Sequence, residues 1–71
     1  TTLSWSLPVG QHVRLTVHDA MGREVALLVD ERQTAGTHTA LFLAADLPSG
    51  SYFARLTTAS GTQVRRMLLL R

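Results

Sequence analysis

Apolar and polar residues alternate along most of this chain. The segment Leu3–Leu7 reads Leu-Ser-Trp-Ser-Leu, and Val13–Val17 reads Val-Arg-Leu-Thr-Val. A period of two is typical of a strand that has one face on a core and the other in solvent. Further segments of strand-forming residues lie at 25–29, 38–43, 52–57 and 64–70. No window of helical length has a helical period, so the pattern predicts six short strands.

Turn-forming residues separate these segments. Asp19 and Gly22 hold the first and last positions of Asp-Ala-Met-Gly, a type I turn signature in which glycine supplies a positive φ. Gly36 precedes the fourth segment, Gly50 the fifth and Gly61 the sixth. Because no connection has room for a helical crossover, the strands are expected to pair antiparallel. We therefore predict an all-β fold: one small antiparallel immunoglobulin-like β-sandwich of six or seven strands, spanning residues 1–71.

The core of such a sandwich is expected to be formed by the inward apolar residues of each strand. These are Leu3, Trp5, Leu7, Val13, Leu15, Val17, Val25, Leu28, Phe42, Leu47, Tyr52, Ala54 and Leu56.

Composition excludes several classes of protein. Hydrophobic residues make up 45% of the 71 residues and charged residues 17%, which is too apolar for a disordered tail. Without cysteine, neither a disulfide nor a thiolate metal site can stabilise the fold. A net charge of +2 predicts no nucleic-acid partner, and the apolar run Met67–Leu70 is too short for a membrane span. Because the first residue is Thr1, we expect a piece of a longer protein.

The titratable residues predict no catalytic, cofactor or metal site. His12 and His18 share the outward face of the second strand, and His38 is expected to be half-buried. The carboxylates all lie in or beside predicted turns, where such groups usually cap their own backbone. Phe53 is the best candidate for an exposed aromatic ring, and one ring does not make a sugar-binding platform. The chain is therefore not expected to be an enzyme.

Two segments carry stronger signals. Leu47–Tyr52 reads Leu-Pro-Ser-Gly-Ser-Tyr, which resembles the tyrosine corner of immunoglobulin-like sandwiches, where the phenol hydroxyl bonds back to the turn. The last segment, Arg65–Arg71, has an apolar stretch bracketed by arginines, so both of its faces are apolar. It could be a central strand, a strand packed on an upstream domain, or a segment presented to a receptor by strand addition.

Five motifs in order resemble the C-terminal sorting domain of the type IX (Por) secretion system. They are the Thr-Thr-apolar-x-aromatic-x-Leu-Pro opening at 1–8, Asp-x-x-Gly-Arg-x-Val at 19–25, Ala-Gly-x-His-x-apolar-x-aromatic at 35–42, Leu-x-x-Gly-x-Tyr-aromatic at 47–53, and the basic-apolar-basic ending at 65–71. The family's upstream Pro-x-Asn-Pro stretch is missing, which leaves the linker before Thr1 unknown. The terminal basic residue is Arg71, where lysine is more usual.

The resemblance implies a non-enzymatic export address on a larger secreted cargo protein. The expected partners are the outer-membrane type IX translocon, its shuttle and sortase components, and a covalently linked cargo domain. The protein would pass through the periplasm to the cell surface or the medium. In this family a sortase commonly removes the domain and anchors the cargo to lipopolysaccharide; whether that happens here is left open, as is self-association through an edge strand.

Two sets of residues carry these expectations. The recognised element is predicted to be the last strand, and a second set is predicted to hold the fold. The first set is Arg66, Met67, Leu68, Leu69, Leu70 and Arg71; the second is Asp19, Gly22, Gly36, Leu47, Gly50 and Tyr52. One alternative is an immunoglobulin-like structural or adhesive spacer of a secreted hydrolase, and another is a carbohydrate-binding module.

Overall fold

The structure is a computed structural model that describes residues 1–44 and 46–70 and contains six strands. Their bounds are β1 Thr2–Leu7, β2 Gln11–Asp19, β3 Glu24–Gln33, β4 Gly36–Leu41, β5 Gly50–Thr58 and β6 Gly61–Leu69. All six predicted strands are present. The fourth ends at Leu41, two residues earlier than the sequence pattern predicts. In the described part of the chain, no helix is long and apolar enough to cross a membrane.

The strands form two antiparallel sheets. A two-stranded sheet pairs β1 with β4, and a four-stranded sheet has the order β3-β2-β5-β6. The Pro8–Gly10 break therefore separates strands that belong to different sheets. This arrangement confirms the predicted small β-sandwich with antiparallel pairing.

The core lies between the sheets and is formed by the inward residues of the alternating strands. In β1 the burial pattern follows the sequence alternation without a break. Val13 and Val17 of β2 are fully buried, and the indole Nε1 of Trp5 donates a hydrogen bond to Gln33 Oε1 at 3.0 Å. The buried apolar residues are Leu3, Trp5, Leu7, Val13, Leu15, Val17, Val29, Phe42, Tyr52 and Ala54.

The predicted core was wrong in part at β3. Val25 and Leu28 are only half-buried, and Val29 takes the buried position opposite Leu15. The pairing of β2 with β3 shifts register between Leu15 and Thr16 and again between Val17 and His18. Each shift inserts one extra residue on β3, at Leu28 and at Val25, and a bulged residue leaves the alternation. Leu47 and Leu56 were also predicted as core and are half-buried.

The β2–β3 turn has the predicted geometry. Gly22 N donates to Asp19 O at 3.0 Å, and Gly22 has a φ of 84°. Asp19 Oδ1 accepts the backbone N–H groups of Met21 and Arg23, both at 2.9 Å. The hydrogen bond from the Arg23 backbone holds the pKa of the Asp19 carboxyl below its ordinary value. Asp19 therefore stabilises the turn in its charged form.

Candidate functional site: the C-terminal edge strand

The strand that the sequence singles out, β6, lies at the edge of the four-stranded sheet. It pairs with β5 from Gly61 opposite Thr58 to Leu69 opposite Gly50. Among residues 1–44 and 46–70, no strand pairs with its other side. The interpretation of this segment as a central strand was therefore wrong. The two other interpretations, packing on a neighbouring domain and presentation to a receptor, both fit an edge strand.

The two faces of β6 have different environments. Met67 and Leu69 lie opposite Tyr52 and Gly50, and both are half-buried against the core. Leu68 points to the other face and is 63% exposed. Because residues i and i+2 of a strand share a face, this outer face also carries Val64 and Arg66. The sequence places apolar residues on both faces, and the structure covers only the inner one.

Arg66 and Arg55 lie on the same outer face as the exposed Leu68, and Arg65 lies on the inner face of β6. The Arg66 guanidinium donates to Ser51 Oγ at 3.1 Å and has no carboxylate partner among the described residues. Arg55, which lies opposite Val64, and Arg65 have neither an ion pair nor a hydrogen-bonding side chain within that part of the chain. Arg71 lies outside the described residues.

Four of the five acidic residues lie in β2 and β3, away from β6, and the fifth, Asp46, lies in the connection before β5. Arg14 of β2 pairs with Glu24 and Asp30 of β3, each at 3.3 Å, and Arg23 pairs with Asp19 at 2.9 Å. Carboxylates therefore pair with Arg14 and Arg23, while Arg32 on β3 and the arginines of β5 and β6 have no carboxylate partner among the described residues. This segregation makes the β5–β6 side of the sheet the surface that favours an acidic partner.

A tyrosine corner fixes the strand that supports β6. The Tyr52 hydroxyl donates to Pro48 O at 2.7 Å, as the sequence predicts, and Tyr52 is 4% exposed. Gly50 begins β5 with a φ of 152°, which favours glycine. Tyr52 lies opposite Met67, so the corner anchors the part of β5 that pairs with the apolar end of β6.

Two further residues of the predicted structural set are Gly36, at the start of β4, and Leu47, in the same connection as Pro48. Gly36 begins β4 with a φ of 123°, and Leu47 packs half-buried against the core. Five of the six positions lie near one end of the larger sheet. Asp19 pairs with Tyr52 and bonds to Gly22, and Leu47 and Gly50 belong to the tyrosine corner. That these residues hold the fold stays a prediction, which substitutions at Tyr52, Gly22 and Asp19 test.

The histidines each have a local partner. His12 Nε2 lies 2.6 Å from an Asp30 carboxylate oxygen, and His18 Nε2 lies 2.9 Å from Thr16 Oγ1. His38 is half-buried as predicted and stacks on Trp5 with ring centroids 6.2 Å apart. The described residues contain no cluster of three or more histidine and acidic side chains that could hold a metal ion.

Phe53 is less exposed than the sequence suggests. It is half-buried and lines a shallow depression of about 250 Å³ on the outer face, together with His18, Arg55 and Val64. The sequence reasoning missed Arg55 as a member of this surface. The sequence pattern could have placed Arg55 there. Tyr52 and Ala54 are predicted to point inward, so strand alternation puts Arg55 on the outer face with Phe53.

Comparisons with family models, with curated proteins and with solved structures find no match to this chain. The assignment of a function therefore depends on the residues and their geometry.

Proposed function

We propose that this domain is a secretion address of the type IX kind, which directs an attached cargo protein across the outer membrane. The observation that carries the proposal is an edge strand, β6, on whose outer face the exposed Leu68 lies beside Arg66, which has no carboxylate partner among the described residues. The five sequence motifs in family order support the same assignment. Transit through the periplasm, cleavage and surface anchoring belong to this proposal.

The geometry divides the last strand into two roles within this proposal. Met67 and Leu69 pack on the core and hold β6 against β5. Leu68 and Leu70, exposed at 63% and 77%, supply the apolar area that a receptor would bury, and Arg66 supplies charge. Burying a leucine side chain contributes about 1.5–3 kcal/mol, so two leucines could dominate recognition.

A second candidate function is a structural spacer. The same exposed residues favour it, because a neighbouring domain of the full protein would cover Val64 and Leu68 just as a receptor would. The two functions differ in what the domain does alone: a spacer confers no export on an unrelated protein.

The test is an export assay. Residues 1–71 are fused to the C-terminus of a periplasmic reporter in a bacterium with a working type IX system, and reporter is measured at the surface and in the medium. We expect export. Retention of the reporter in the periplasm, with the domain shown to be folded, would contradict the proposal and favour the spacer.

Charge-reversal variants test whether β6 carries the residues that the export machinery recognises. Arg66→Glu reverses an arginine on β6 and is expected to reduce export. Arg32→Glu makes the same change on β3, where the guanidinium contacts only Gly10 O at 3.4 Å, and is the matched control. Deleting residues 66–71 is a poorer test, because it also removes Met67 and Leu69 from the core. Equal export by the two variants would remove Arg66 from the recognised element.

A further inference from the structure

A groove of about 570 Å³ runs between β1 and the β5–β6 hairpin. It exists because a sheet of two strands cannot cover the whole inner face of a sheet of four. Leu15, Ala54 and Leu56 form an apolar floor from β2 and β5, and Arg65 of β6 lies on the far side. Leu56 is only half-buried for this reason.

One wall of the groove is the free edge of β1. Phe42 N donates to Thr1 O at 2.8 Å and Thr1 N donates to Phe42 O at 3.2 Å, so these two residues form a hydrogen-bonded pair. Hydrogen-bonded and non-hydrogen-bonded pairs alternate along an antiparallel ladder. The backbone N–H and C=O groups of Thr2, Ser4 and Ser6 therefore point away from β4. Ser4 and Ser6 line the groove.

Two polar groups that line the groove, the Gln11 Oε1 atom and the Arg65 guanidinium, have no partner in the described part of the chain. Gln11 is 5% exposed and lines the groove, and its Oε1 accepts no hydrogen bond. Arg65 has no carboxylate partner within residues 1–44 and 46–70. The groove therefore offers a ligand the free backbone groups of Ser4 and Ser6 and one cationic side chain, Arg65.

We propose that the groove binds an extended segment of a partner polypeptide, which adds to the free edge of β1 as a third strand of the smaller sheet. Its alternate apolar side chains would lie on the floor, and a carboxylate would meet Arg65. Strand addition of this kind takes its affinity from backbone hydrogen bonds and its specificity from side-chain pockets. This inference does not depend on the proposed secretion function.

A second copy of the chain is a poorer occupant. The apolar side chains of β1 in a second copy, Leu3, Trp5 and Leu7, are already buried in its own core. Its β1 would offer the groove only backbone and outward polar side chains, and would leave Leu15 and Leu56 uncovered. An incoming strand with its own apolar side chains fills the space.

The test uses a blocked synthetic peptide of six residues, the length of β1, with alternating valine and threonine and one glutamate. Amide hydrogen exchange of the 71-residue chain is followed by NMR as the peptide is added, up to about 1 mM. With peptide at ten times its Kd, exchange at Thr2, Ser4 and Ser6 is expected to slow by about tenfold. The amides of β6 should not change. A peptide of the same composition without alternation is the control.

Two variants separate the contribution of the β1 backbone hydrogen bonds to peptide binding from that of the Arg65 charge. Ser4→Pro removes a donor that faces the groove and leaves the β1–β4 ladder intact, because proline is tolerated where the N–H of an edge strand is free. It should weaken binding at least about tenfold, while Ser4→Val keeps the donor and should bind normally. Arg65→Gln should abolish the preference for the glutamate peptide over one with lysine, and this variant decides the outcome if Ser4→Pro does not fold.

Three results would overturn the proposal. One is unchanged exchange at the three β1 amides at the highest peptide concentration. Another is protection of β6 in place of β1. The third is protection of β1 that rises with protein concentration in the absence of peptide, which would make a second copy the occupant.

Discussion

Replacing Tyr52 by phenylalanine removes one hydroxyl group and leaves the buried ring in place. The hydroxyl donates to Pro48 O at 2.7 Å, within the length expected of a good hydrogen bond. Tyr52 is 4% exposed, so phenylalanine keeps the buried ring and its contacts with the core. The substitution therefore isolates the contribution of the tyrosine corner from that of the core.

The expected loss follows from these contacts. A neutral intramolecular hydrogen bond contributes about 0.5–1.5 kcal/mol net. Pro48 is exposed, so its carbonyl oxygen can be hydrated once the hydroxyl is gone. We therefore expect Tyr52→Phe to lower the free energy of unfolding by about 1 kcal/mol. A chain of 71 residues has a total stability of roughly 4–11 kcal/mol. The melting temperature should fall by about 4–8 °C.

Urea unfolding followed by the fluorescence of Trp5, the one tryptophan in the chain, measures this loss. Ser6→Ala is the control: it removes an exposed hydroxyl that lies 3.4 Å from the Thr37 hydroxyl, and it should change stability by less than about 0.5 kcal/mol. If Tyr52→Phe costs no more than Ser6→Ala, the corner does not hold the fold and the structural role given to Tyr52 is refuted.

Three further substitutions test the turn, its charge and the core. Gly22→Ala should cost about 1–2 kcal/mol because Gly22 has a φ of 84°, whereas Gly10→Ala, where a Cβ would meet Gln33 O at an ordinary 3.5 Å, should cost less than about 0.5 kcal/mol in thermal melts. Asp19→Asn should be destabilising at neutral pH, and the difference from the natural chain should shrink on acidification. The folded pKa of Asp19 lies below its unfolded value of about 3.9, so its stabilisation is present above that pH and is lost as pH falls through the folded pKa; a difference in urea unfolding that does not vary with pH would contradict this. Val17→Ala, in a fully buried position, should lower the free energy of unfolding by about 2 kcal/mol, and Leu27→Ala, at 50% exposure, by less than about 0.5 kcal/mol. If urea unfolding gives equal losses for the two variants, burial does not determine the loss.

The sequence predicted the fold wherever local alternation decided it. Leu3, Trp5 and Leu7 are all buried because the alternation of β1 has no irregularity. The Asp19–Gly22 turn forms because its residues favour that conformation locally. Alternation failed in β3. There the bulges at Val25 and Leu28 depend on how β3 aligns with β2, which the sequence of β3 alone does not specify.

The edge position of β6 could not be predicted from its own residues. Apolar side chains at Leu68 and Leu69 fit a central strand as well as an edge strand, and the strand order depends on pairings between distant segments. The groove beside β1 has the same origin. Its floor comes from β2 and β5, its walls come from β1 and β6, and no local pattern brings these together.

The central claim is that an outward leucine on β6 is part of a recognised address. Leu68→Ser tests it most directly in the reporter export assay, with Leu41→Ser on β4 as the matched control, because the two leucines are 63% and 58% exposed. The account predicts that both variants fold and that only Leu68→Ser loses export. Burial of the leucine side chain in the receptor contributes about 1.5–3 kcal/mol. Its loss would weaken the affinity for the receptor by about ten- to a hundredfold. Equal export by the two variants would contradict the claim.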